Sequence, residues 1–407
     1  MASRKAPART AGLRTVLEVF LIFLRLGLTS FGGPVAHLAF FREEFVSRRR
    51  WLDDHAYGSL VALCQFLPGP ASSQVGIALG LSRGGIPGAL AAWLGFTLPS
   101  AALMMLFALG VASFPTVLSG GWLHGLKIAA VAVVAQAVWA MGKSLAPDRA
   151  RFSLAAAACG VVVAWPSATA QIVAIVVGGL FGWRFLPGAQ AGGKDALRMV
   201  SGGRWLSTAA WTLFFALLAG LPLLRALAPG EGVAVFDSFY RAGSLVFGGG
   251  HVVLPLLQAE VVPAGWVTEN AFLAGYGAAQ AVPGPLFTFA GYLGASVPGA
   301  WGGWPGGLLA LGAIFLPAFL LVVGALPVWE AVREHRPARC AIAGINAAVV
   351  GVLLAALYHP VWTGAIARPP DFAMALGAWV LLMFWKVPPW LVVALCAAGG
   401  AMLGGPA

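Results

Sequence analysis

The sequence predicts an all-α polytopic membrane protein made of two inverted-topology repeats with broken or re-entrant helices. Composition is the first reason: 60% of the 407 residues are apolar and only 10% are charged, against roughly 45–50% and 25% in soluble domains. Internal duplication is the second. Residues 23–33 read FLRLGLTSFGG and residues 239–249 read FYRAGSLVFGG, so Arg25, Phe31, Gly32 and Gly33 recur as Arg241, Phe247, Gly248 and Gly249. The match continues in order, with Gln65, Pro68, Gly69 and Pro70 returning as Gln280, Pro283, Gly284 and Pro285, Leu98-Pro99 as Leu316-Pro317, and Gly125 as Gly344. The third is the placement of charge, which reverses between the copies.

Measured against the roughly 20 apolar residues that cross a bilayer, about thirteen hydrophobic segments are predicted. They span 15–41, 56–80, 85–112, 121–142, 152–165, 168–186, 206–228, 233–258, 271–296, 304–328, 341–362, 372–385 and 388–404. The first is interrupted at Phe31-Gly32-Gly33-Pro34 and the second at Pro68-Gly69-Pro70, and their counterparts at Gly248-Gly249-Gly250 and Pro283-Gly284-Pro285. A helix does not run through PGP, because each proline lacks an N–H and disfavours helix at the residue before it. These four segments are therefore expected to be discontinuous or re-entrant.

Seven segments separate equivalent points, so the second copy is expected to be inverted. Charge gives the same answer independently. Arg42, Arg48, Arg49 and Arg50 follow the first FGGP, whereas 258–270 contains no Lys or Arg and carries Glu260 and Glu269. The next loop reverses this: 112–122 has no Lys or Arg, while 330–339 holds Arg333, Arg336 and Arg339. Under the positive-inside rule both arginine loops are cytoplasmic. Keeping the basic stretch 1–14 cytoplasmic as well requires re-entry at FGGP. The expected organisation is repeat one over 1–150, a linker with hydrophobic segments and a basic cytoplasmic loop over 151–229, repeat two over 230–362, and a hydrophobic hairpin over 363–407. Segment 206–228 is the odd element that inverts the second copy. No cleavable signal peptide is expected, since basic 1–14 runs into an apolar stretch longer than a signal h-region.

The net charge of +11 is assigned to membrane orientation and anionic lipid, because the basic residues cluster in short loops; no nucleic-acid partner is expected. Cys64, Cys159, Cys340 and Cys396 are far apart in apolar contexts, without CxxC or Cys/His spacing, so neither metal nor cofactor is expected.

Irregular backbone at membrane depth is tolerated where it is buried in protein or lines a cavity. Helix N-termini after such breaks present free N–H groups and the positive dipole end, a nest for an anion. Candidate binding residues are accordingly those of the two FGG and two PGP breaks, together with Arg25 and Arg241, which lie deep in apolar runs and need an anionic partner. Snorkelling or pairing with Glu18 or Asp237 is the alternative for these arginines. Gln65 and Gln280 precede the PGP breaks, and Ser72, Ser73 and Gln74 add donors that repeat two lacks. Lys127 is a secondary candidate, because Asn346 replaces it in repeat two. Glu44 and Glu260, equivalent across the copies, are either proton carriers or interfacial carboxylates paired with arginines.

At these residues the chain resembles a known family. SFGGPVAHLAFFREEFVSRRRWL, LVALCQFLPGPASSQVGIALG and AAWLGFTLPSA are similar to the signature of the chromate transporter family, ChrA type, and FGGGHVVLPLLQAEVV and FLAGYGAAQAVPGPLFTFAGYLGA to its second signature. The resemblance covers 14–145 and 235–357. It implies a multi-pass protein of the bacterial inner membrane, of the two-domain long-chain type, that exports chromate from the cytoplasm and handles it as a relative of sulfate. One departure stands out: the second copy reads GGGH where the first reads GGPV, so His37 and His251 are not equivalent. Transport of sulfate or another oxyanion is the alternative. An intramembrane lipid phosphatase with Ser72 or Ser73 as nucleophile ranks lower, since no acidic residue lies near either serine in sequence and no HExxH, CxxC or GxSxG motif occurs. Monomer and homodimer are both left open.

Overall fold

The computed structural model describes residues 12–113, 120–187, 204–329 and 335–404. The basic N-terminus, most of the basic linker and Arg333 lie outside them. The described residues are helical, with no strand among them. Six helices are long and apolar enough to cross a membrane. They are fewer than the predicted hydrophobic segments because the broken segments resolve into half-helices and because the remaining hairpin helices are 15 or 16 residues long.

Repeat one opens with α1 (Leu13–Thr29), which ends where the FGG break begins, and α2 (Gly33–Arg42), extended by a wide turn over Glu43–Arg48. The break turns on Gly32 and Gly33, whose φ of 101° and 76° suits glycine alone. Helix α3 (Asp54–Phe66), capped by the Asp53 side chain on the Ala56 N–H, stops at Leu67 in extended conformation before Pro68. Helix α4 (Ala71–Ser113) starts on the far side of the PGP break and folds back on itself at Gly84-Gly85. Its two arms are in contact at Gly80 and Gly88, where any side chain would strike backbone. Helix α5 (Gly121–Leu145) completes the copy.

Helices α6 (Arg149–Ala164) and α7 (Ala168–Phe185) form a hairpin, and α8 (Arg204–Leu227) leads into the second copy. That copy contains α9 (Glu231–Leu245), α10 (Val253–Val261), α11 (Glu269–Ala279), the short α12 (Phe289–Ala295), α13 (Trp304–Ala325) and α14 (Arg336–Ala356). A closing hairpin consists of α15 (Pro369–Met383) and α16 (Pro389–Leu403).

Equivalent residues make equivalent contacts. A methyl group at Gly27 of α1 would lie 2.7 Å from the Phe96 carbonyl oxygen of α4, and its counterpart Gly243 of α9 is seated just as closely on the Ile314 carbonyl of α13. The reversal in α4 recurs between α12 and α13: Gly85 has φ 61° and ψ −154°, Gly303 has φ 69° and ψ −143°, and Gly294 meets Gly306 as Gly80 meets Gly88. Small residues permit such close helix approach in a membrane, where packing replaces the hydrophobic effect as the force between helices. The hairpins are exchanged between copies. Helices α6 and α7 follow repeat one but pack on α14 through Gly178, Gly182 and Gly344, while α15 and α16 follow repeat two but pack on α5 through Gly125 and Gly400.

Candidate functional site

The four breaks meet at the junction of the copies through two backbone hydrogen bonds that mirror each other. The Gly69 N–H of the first PGP donates to the Val246 carbonyl, which precedes the second FGG, at 2.6 Å. The Gly284 N–H of the second PGP donates to the Ser30 carbonyl, which precedes the first FGG, at 3.0 Å. Ser30 and Val246 are counterparts, as are Gly69 and Gly284, so the contact is reciprocal in the manner of a two-fold interface. Packing repeats the exchange: a methyl at Gly284 would meet Ser100 Oγ of α4 at 2.8 Å, and one at Gly69 would meet Ala318 Cβ of α13 at 3.8 Å.

Pro34 and Gly250, equivalent residues, touch each other, with a Gly250 methyl 3.2 Å from Pro34 Cγ. This accounts for the GGPV/GGGH departure: where a residue meets its own counterpart, only one of the pair can carry a proline ring.

Around the junction, His37 bridges the breaks of repeat one. Its Nε2 lies 3.2 Å from the Ser30 carbonyl and its Nδ1 3.4 Å from Ser72 Oγ. Ser72, Ser73 and Gln74 are buried in the first turn of α4, and Gln74 Nε2 donates back across the break to the Pro68 carbonyl at 2.7 Å. The Gln280 side chain lies against the Tyr276 hydroxyl, whereas Ser30 Oγ, Ser73 Oγ, Gln74 Oε1 and Thr97 Oγ1 are buried with no partner. Buried polar groups normally find one, and leaving one unmet costs about 1–3 kcal/mol. The hydroxyls of Ser30, Ser73 and Thr97 are thus three buried donors without an acceptor among the described residues. Ser30, Thr97 and Ser100 escaped the sequence reading. Ser30 carried a signal, as the residue joining α1 to FGG, whereas Thr97 and Ser100 reach the junction only through the fold.

Not every candidate is brought to this junction. Gln65 is exposed at the end of α3. Lys127 is pinned by hydrogen bonds from Nζ to Asn270 Oδ1 and the Gly364 carbonyl, both 3.1 Å. His251 Nδ1 pairs with Tyr276 Oη at 2.8 Å. Pro283 and Pro285 are buried beside Gly284.

The arginines differ sharply between copies. Arg241 Nη2 lies 2.9 Å from Asp237 Oδ2 and 3.0 Å from Glu260 Oε2; Arg225 of α8 also reaches Asp237, at 3.3 Å. Arg25 is exposed on α1 and is in no ion pair among the described residues, although its charge acts on Glu44. Its natural partner by symmetry, Glu44, is held instead by Arg48 at 2.7 Å and Arg49 at 2.6 Å. Burial pushes the Glu44 carboxyl up, but Arg49, Arg48 and, more weakly, Arg25 outweigh it and hold the group below the usual carboxylate range.

The breaks differ in the same sense. A methyl at Gly32 would meet Ala36 Cβ at 3.1 Å and one at Gly33 nothing within 4 Å, whereas their counterparts meet Leu145 Cδ1 at 3.0 Å, Met141 Cε at 3.3 Å and Val349 Cγ1 at 3.5 Å at Gly248, and Met141 Sδ at 3.8 Å at Gly249. Among the described residues no group of three or more His, Cys, Asp or Glu is placed to hold a metal ion.

Half-helices joined through their breaks, within a bundle of long apolar helices, are an architecture of membrane transporters. The chromate transporter family model matches residues 17–183 and 233–401, and the chain belongs to that family. It is 30% identical to the chromate transport protein of Pseudomonas aeruginosa over 94% of this chain and 90% of that protein. Identity to the chromate transport protein of Cupriavidus metallidurans is 28%, over 97% and 94% of the two chains. A probable chromate transport protein of Synechococcus elongatus is 26% identical over 93% of each. No solved structure matches. Each of the two matched stretches takes in the hairpin that follows its copy.

Proposed function

We propose that this protein exports chromate from the cytoplasm across the bacterial inner membrane, conferring chromate resistance, and that the anion binds where the four breaks meet. This reading is supported by the reciprocal Gly69–Val246 and Gly284–Ser30 hydrogen bonds, which join the breaks of the two copies, and by the buried hydroxyls of Ser30, Ser73 and Thr97. Chromate is a tetrahedral dianion that accepts hydrogen bonds on every face. It needs convergent N–H and O–H donors and a guanidinium, with no nucleophile or metal. Arg25, exposed on α1 and in no ion pair among the described residues, supplies the cation; the break residues 31–34, 68–70, 247–249 and 283–285 shape the walls. The two copies are inverted, as their opposed charge patterns indicate.

Sulfate has nearly the same shape and charge, and these donors barely distinguish the two, so sulfate transport is the second reading. A phosphatase is disfavoured: Ser72 contacts His37, but the other nitrogen of His37 faces a backbone carbonyl and not a carboxylate.

With an inside-negative potential, outward movement of a dianion is favoured by about 4.6 kcal/mol per 100 mV, twice the single-charge value. The test is labelled chromate flux in everted vesicles, with sulfate as competitor. Collapsing the potential with valinomycin and potassium is expected to inhibit more than collapsing the pH gradient with nigericin, and Glu44→Gln and Glu260→Gln are each expected to retain flux. The opposite order, with loss of flux in either variant, identifies a proton-coupled antiporter. Orientation is tested in a cysteine-free background: Arg48→Cys is expected to be shielded from an external impermeant thiol reagent in intact cells and Thr268→Cys to react, and labelling of both refutes inversion.

A further inference from the structure

A cavity of about 510 Å³ lies between the α6–α7 turn, α10 and the C-terminal end of α14. It is separate from the junction: no break residue and none of the unpartnered donors of α4 lines it. Its volume is that of a small-molecule site, within the roughly 300–1,000 Å³ such pockets occupy.

The chemistry of its wall is the reverse of the junction's. Val162, Val163, Ala168, Ala355 and Ala356 make it largely apolar; Ser167, Gln258, Tyr358 and His359 also line it, and no Lys, Arg, Asp or Glu does. Gln171, 4% exposed, also lines it. The Gln171 Nε2 donates to the Pro255 carbonyl at 3.1 Å, tying α7 to α10, and its Oε1 is buried without a partner. The unmet group is therefore an acceptor. An oxyanion, itself only an acceptor, would face Oε1 with no Lys or Arg in the wall to offset its desolvation, which disfavours chromate as the occupant. The right one is uncharged, mostly hydrocarbon, and carries a hydrogen-bond donor.

Access to such a molecule follows from the surroundings. Trp165, Tyr358 and Trp362, which are 56%, 59% and 37% exposed, lie at the same ends of α6 and α14. Exposed Trp and Tyr at helix ends mark the boundary between hydrocarbon and headgroups. An amphiphile dissolved in the bilayer holds its hydroxyl at that depth.

We propose that this cavity is a binding site for a neutral hydroxylated amphiphile taken from the bilayer, its hydroxyl donating to Gln171 Oε1 and its chain lying against the α6, α7 and α14 wall. The test uses the full-length protein in lipid nanodiscs and a photoactivatable diazirine analogue of 1-decanol, with labelled peptides identified by mass spectrometry. Labelling is expected to fall on α7, α10 and α14 around the cavity. Unlabelled 1-decanol is expected to compete about tenfold better than decyl methyl ether, which lacks the donor and would leave the amide oxygen unmet. Gln171→Leu is expected to abolish that preference, and Ala259→Phe, which fills the cavity from α10 and leaves Gln171 in place, to abolish the labelling. Equal competition by alcohol and ether, labelling scattered over lipid-facing helices, or labelling that survives Ala259→Phe each overturns the site.

Discussion

Arg25 and Arg241 occupy equivalent positions in the two copies, yet their replacement by alanine is expected to produce opposite phenotypes. Removing Arg241 leaves Asp237, whose side chain is 2% exposed, and Glu260, 13% exposed, to share what remains. Breaking a buried ion pair costs roughly 3–5 kcal/mol, but Arg241 is itself 24% exposed, Arg225 still reaches Asp237 and the Ser238 hydroxyl still donates to Glu260, which reduces the expected loss to about 2 kcal/mol. Arg25 forms no such pair, and its removal strands no carboxylate. Arg25→Ala is therefore expected to keep the wild-type Tm in detergent while losing chromate flux in vesicles. Arg25→Lys restores part of the flux, because a point charge lacks the planar fork that grips an oxyanion. Arg241→Ala lowers Tm and the amount of folded protein, and what survives still transports. The reasoning is refuted if Arg25→Ala transports normally, or if the two variants lose the same stability.

Gly250→Pro, which restores GGP to the second copy, is expected to prevent accumulation of folded protein, because the new ring meets Pro34; Pro34→Gly is expected to be tolerated, and quantitative immunoblotting of membranes distinguishes the two. The depressed Glu44 carboxyl contributes stability that is fully present above its ordinary value of 4.5 and is lost as pH falls through the lower folded-state value. Thermal unfolding of the wild type is therefore expected to lose Tm below about pH 4.5 more steeply than Glu44→Gln does. Met141→Ala uncovers Gly248 and Gly249 and is expected to raise passive chromate leak through proteoliposomes; an unchanged leak would show that Met141 only fills space.

The breaks were legible because proline and glycine act locally. PGP stops α3 and opens α4, and FGG ends α1 and α9, for reasons contained within a few residues. The division of segments 56–80 and 85–112 likewise falls at the Gly84-Gly85 reversal. The pairing of breaks across copies was not legible. The Gly69–Val246 and Gly284–Ser30 hydrogen bonds join backbone groups far apart in sequence, and no side-chain pattern records them. Nor was the exchange of hairpins: α6 and α15 are apolar on most sides, so composition shows that they are buried in membrane but not against which helix. Half of the charge network was readable. Asp237 and Arg241 share a helical face at a spacing of four, whereas Glu260 and Arg225 arrive from α10 and α8 through tertiary packing alone.

Two copies of one sequence pattern have thus become unequal in both charge and shape, and the two differences fall on opposite sides of the junction. Repeat one keeps Arg25 outside any ion pair among the described residues and leaves open space at Gly33. Repeat two pairs the equivalent guanidinium with two carboxylates, sets Met141, Leu145 and Val349 against Gly248 and leaves Gly249 with Met141 alone at 3.8 Å. A symmetric pair of open, cationic breaks would form a continuous path, and an oxyanion would run down its gradient through it without any cycle. On the proposed function, the neutralised and more closely packed second half is what would keep the two breaks from joining into such a path.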